Sequence, residues 1–232
     1  AAMEMLRLKC ARSKCALAVP DVSCLPLSRL KVPKVHIAPY AEVSPEILFD
    51  TASMFRDEQR FRGVFYSRIR TSQLENDLRS LWEPSRLQNV ALALINAERL
   101  EDNCAGLCAV NTALDWLANN PFPYGLHYLS VMECSLRIPV FVRCLQFASD
   151  VSKDAQRALL MGIHHHAWLT GKRLSLHSSL GNHTVAECVG LVFAGGVFSQ
   201  SAEGIAWLDR GTALLTQEIT HLILSDGGPA EQ

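Results

Sequence analysis

Residues 182–224 read NHTVAECVGLVFAGGVFSQSAEGIAWLDRGTALLTQEITHLIL, and this stretch decides the fold. Two helix-length runs, 182–197 and 202–224, are separated by a short turn at Ser199–Ser201, and neither alternates apolar with polar residues as a half-buried strand would. The same pattern extends upstream. The spacing predicts helices over 84–101, 104–118, 129–149 and 152–171, with Pro84 at a first-turn position and breakers at Ser149–Asp150 and Gly171. Asn119, Asn120 and Pro121 stop the second of these, because a residue before proline resists the helical conformation. Leu87, Val90, Ala91, Leu94 and Ala97 form one apolar stripe at 3,4 spacing in the first. The expected class is all-α, with helices paired as antiparallel hairpins over 46–232.

Composition narrows the function. Hydrophobic residues are 49% of the 232 and charged residues 19%, so the chain can bury a sizeable core. Lys plus Arg number 22 against 23 Asp plus Glu, a net charge of -1 that provides no global field for nucleic acid. An acidic ligand must then be held by local groups. No apolar run reaches the roughly 18 residues that span a bilayer, so membrane insertion is not expected. Half of the 10 prolines fall at positions 20, 26, 33, 39 and 45, which predicts an irregular N-terminal arm over 1–45. Arg7, Lys9, Arg12 and Lys14 precede an apolar stretch, Ala16–Val19, that is too short for a secretory signal core.

Eight cysteines include no C-x-x-C pair, and free, mostly buried thiols are expected. His164, His165 and His166 point about 100° apart on a helix and cannot converge on one metal. His183 and Glu187 lack a third ligand at a suitable spacing, so neither metal nor cofactor is implied. The four tryptophans lie on separate helices, as core anchors do. Glu133 and Arg137 share a face at i,i+4 and need partners there. Asn182 at a helix start is a natural cap, with His183 and Glu187 one turn apart on a common face. The same amide and imidazole can also donate hydrogen bonds to a carboxylate, where the helix N-terminus adds positive potential. No phosphate-binding glycine loop, nucleophile elbow or H-E-x-x-H motif is present. Periodicity leaves a solenoid, a bundle and a ring of hairpins open, although no repeat of roughly 34 or 40 residues recurs.

Three segments, in order, resemble the helical domain of the heparinase II/III-like polysaccharide lyases over roughly residues 80–232. The first holds Trp82, Glu83, Pro84, Ser85 and Arg86, followed by Trp116 to Pro121. The second holds Gly125, Leu126, His127 and Tyr128, then Met132, Glu133 and Arg137. The third holds Gly181, Asn182, His183 and Glu187, then Gly190, Leu191, Ala194, Gly195, Trp207 and the stretch from Asp226 to Gln232. The resemblance implies an α/α toroid, here a partial one, followed in the family by a β-sandwich that is not in this chain. It implies β-elimination at a uronic acid of an acidic polysaccharide, heparan sulfate, alginate or another uronate polymer, in the periplasm or outside the cell. Asn182 and His183 match the pair that neutralises the substrate carboxylate. By the same resemblance Glu187 orients His183 or contacts the sugar, and Tyr128, Glu133 and Arg137 line the cleft. The family's serine and acid tyrosine, and its later histidine, follow the position of Gln232, so a fragment without lyase activity of its own is expected. The alternative is a non-catalytic helical module that binds sugar or protein. Oligomeric state is not encoded in any motif.

Overall fold

The structure, a computed structural model, describes residues 57–147, 152–176, 181–224, 226–228 and 230. The expected arm over 1–45 lies outside them. After helical residues at 57–61, the described chain is carried by α1 (Leu78–Ser85), α2 (Gln88–Leu100), α3 (Asn103–Asn119), α4 (Val131–Phe147), α5 (Lys153–Arg173), α6 (Asn182–Val197) and α7 (Ala202–Leu222). Short 3-10 turns, among them Leu126–Tyr128, join or precede them. Among the described residues there is no strand; Phe65 and Tyr124 form an isolated antiparallel bridge. The all-α expectation holds.

Side-chain caps fix several helix starts. Asp77, Asp102, Ser152 and Ser201 each accept a hydrogen bond from a backbone N–H in the first turn of α1, α3, α5 and α7. Such caps satisfy donors that the helix itself cannot. Two expected boundaries are corrected. Pro84 does not open a helix but sits near the end of α1, and α2 starts only after Leu87, whose left-handed backbone (φ 59°) turns the chain between them. Gly171 is not a breaker. It lies inside α5, where an added Cβ would stand 3.2 Å from the indole nitrogen of Trp207.

The core runs between α2, α3, α4, α5 and α6, with Leu94, Val110, Ile138, Phe141, Leu145, Leu159, Ile163 and Leu191 all fully buried. The most extensive pairings are α6 with α7, α4 with α5, and α4 with α6. Small residues set the closest approaches. A Cβ at Gly190 of α6 would meet Ser135 of α4 at 2.8 Å, and one at Gly195 would meet the backbone nitrogen of Leu208 on α7 at 2.6 Å. Pro139 cannot donate to the Ser135 carbonyl four residues earlier, and it is against this carbonyl that Gly190 packs. The five described cysteines are all free, and most of them are buried. Cys134, Cys144 and Cys188 are buried and free, whereas Cys104 and Cys108 are exposed because the core face of α3 is Gly106, Ala109, Val110 and Ala113. No helix among the described residues is long and apolar enough to cross a membrane.

Candidate functional site

Helix α6 begins where the backbone of Gly181 takes φ 107° and ψ -128°, a conformation that side chains other than hydrogen strain to reach. Gly181 is therefore the cap position, and Asn182 is not. Asn182 occupies the first helical position with an exposed side chain, and His183 follows it half-buried. The first-turn N–H groups have no partner within the helix, so the positive end of the dipole lies at these two residues.

Glu187, one turn further, is wholly buried. Its two carboxylate oxygens accept from the Ser175 backbone N–H at 2.7 Å and from the Ser175 hydroxyl at 2.8 Å. Thr184 donates its hydroxyl to the Ser175 carbonyl at 2.8 Å. Three hydrogen bonds thus latch the segment after α5 onto the first turns of α6. Burial pushes the Glu187 carboxyl above its ordinary value, opposed by the two Ser175 bonds and then by the charges of His183 and Arg173.

The remaining candidates form a buried layer around the start of α4. Glu133 is 1% exposed and receives a bidentate pair of hydrogen bonds from Arg86, at 2.7 and 2.9 Å. This is the strong, planar form of carboxylate recognition, and bonding to Glu133 raises Arg86 above its ordinary value. Arg137, also 1% exposed, donates to the His127 carbonyl at 2.7 Å and lies over the Trp116 ring at 4.5 Å. Burial pushes its guanidinium below the ordinary value. Tyr128 donates its hydroxyl to the Asn120 carbonyl at 2.6 Å and packs edge-on against Phe122 and His166. Burial raises the Tyr128 phenol.

Tyr128, Glu133 and Glu187 therefore spend their polar groups on the protein, Arg137 does so except at its buried Nε, and all four present almost no surface to a sugar. Asn182, exposed, and His183, half-buried, stand at the start of α6, whereas Tyr128, Glu133, Arg137 and Glu187 are buried. Cys134 sits among the latter. Burial raises its thiol to about 11, while Arg137, Glu133, Arg173 and Glu187 all lie close enough to act on it. His164 and His166 are buried, and His165 stacks on Phe122 at 4.6 Å, so the histidine run packs the core. Among the described residues no cluster of three or more His, Cys, Asp or Glu side chains is arranged to hold a metal. The lining of a small pocket among Glu58, Arg62, Asn119, Tyr124 and His127 includes neither Asn182 nor His183.

Residues that the motifs did not nominate complete the arrangement. Arg86 reaches Glu133 across 47 positions, which no local spacing reveals. Ser175 carries the latch with no signal beyond its own identity. Arg173, exposed at the last turn of α5, is held with its guanidinium carbon 5.1 Å from the centre of the Tyr66 ring.

A family model described as Heparinase II/III N-terminus matches residues 109–232, just over half of the chain. No curated protein and no solved structure matches it.

Proposed function

We propose a function from the premise that the chain belongs to the heparinase II/III family: it is the helical part of a polysaccharide lyase and neutralises the carboxylate of a uronic acid during β-elimination. The helices are, on this reading, hairpins of an incomplete α/α toroid that works outside the cytoplasm. The observation that carries the proposal is the exposure of Asn182 beside half-buried His183 at the positive end of α6.

The chemistry asks for this arrangement. The proton at C5 of a uronate is weakly acidic because its loss puts a second negative charge onto a group that already bears one. Donors aimed at the carboxylate lower that cost, and they act more strongly as negative charge grows in the enolate-like transition state. The Asn182 amide donates from its nitrogen, His183 donates from its ring, and the helix dipole favours charge at the same place. Glu187 takes no part in proton transfer. It accepts from Ser175 and keeps α6 and the segment after α5 in register. The base and the acid of the elimination are not assigned among the described residues.

Binding of an unsaturated-end-free uronate oligosaccharide, measured by calorimetry, tests the proposal. Asn182→Ala and His183→Ala should each weaken binding about 10-fold or more, the scale of one hydrogen bond to a charged group, without loss of helical signal. Unchanged affinity in both variants would overturn it.

A further inference from the structure

Arg173 is an exposed cation with its place fixed. It ends α5, where the negative end of the helix dipole favours a positive charge. The Tyr66 ring beneath its guanidinium is itself only 2% exposed, so the stack rests on a rigid surface. Two residues later Ser175 is latched to Glu187 and Thr184, which places Arg173 near the first turn of α6. Among the described residues no carboxylate lies within ion-pair distance of Arg173. Its flat, forked set of N–H donors suits a planar or tetrahedral anion and is not used up by the protein.

We propose that Arg173 is a specificity-determining residue, binding a second anionic group on the sugar next to the one held by Asn182 and His183. The inference rests on the function proposed above. The second anion is a carboxylate in a continuous uronate chain or a sulfate on an alternating one. Both offer paired oxygens to a guanidinium, and the polymer used in the assay separates them.

Three probes serve: a tri-uronate, the same trisaccharide with two of its three carboxyls as methyl esters, and a sulfated alternating uronate trisaccharide. The wild-type chain should bind the tri-uronate or the sulfated probe about 10- to 100-fold more tightly than the mono-acid. Arg173→Gln should erase that preference while leaving affinity for the mono-acid unchanged, and Arg173→Lys should restore part of it. The side chain is exposed, so circular dichroism should report an intact fold. If Arg173→Gln keeps the preference while Asn182→Ala abolishes binding to every probe, Arg173 has no such role and the functional reading stands. If the wild-type chain binds none of the three, both fall.

Discussion

Truncating Arg86 to methionine should cost more stability than any surface charge, because of what it leaves behind. Glu133 is 1% exposed and both its oxygens are bonded to Arg86, whose own side chain is 24% exposed. Removing one partner from a buried pair costs roughly 3–5 kcal/mol, most of it the stranded charge and not the lost attraction. Water reaches the Arg86 side, so the lower end applies, about 3 kcal/mol. That is a fall of roughly 150-fold in the folded-to-unfolded ratio. A domain with 5–15 kcal/mol in hand survives it. The double variant Arg86→Met/Glu133→Leu removes both charges and should recover to within about 1 kcal/mol of the parent. Urea unfolding followed by circular dichroism reads both values. The reasoning fails if the single variant loses less than about 1 kcal/mol, or if the double variant is as poor as the two single losses added together.

Two further predictions concern the core. Burial holds His127, His164 and His166 below the ordinary histidine value, most strongly His166. The unfolded chain then takes up protons that the folded one refuses, so stability should fall as pH drops below about 6.5, by up to about 1.4 kcal/mol per pH unit for each such histidine. His166→Gln should flatten that slope between pH 7.5 and 5.5, relative to the parent measured at the same pH values. An equal slope would refute it. Glu187 works with the opposite sign, being raised, and cancels in that difference. Gly190→Ala drives a methyl to within 3.0 Å of three Ser135 atoms, including backbone, and should cost about 1–3 kcal/mol despite the better helix former. Gly63→Ala, with nothing within 4 Å, is the control and should change stability little.

Helix periodicity carried the fold class, and it placed 182–197 as the structure has it. It failed where a residue type has two uses. Pro84 is acceptable in a first turn, yet α1 holds it near its end. Gly171 breaks helices in isolation, but here it makes room for Trp207. The pairing of Glu133 with Arg137 at i,i+4 was reasonable locally, and each instead turns to a distant partner, Arg86 and the His127 carbonyl. Asn182 as a cap was wrong because glycine can take the required backbone and asparagine was then free to stand outside. The exposure of Asn182 and the Arg173–Tyr66 stack depend on tertiary packing over more than a hundred residues, which spacing along one helix does not encode.

The glycine seams of α6 have a bearing on how its chemistry can change. Main chain rests almost on main chain at Gly190 and Gly195, on two neighbouring helices. There is no cushion of flexible side chains through which the rod could be tilted or slid to re-aim residues 182 and 183. Adapting this region to another sugar must therefore work through what surrounds the fixed pair, starting with the short stretch from Lys172 to Leu176, while the rod itself stays where it is.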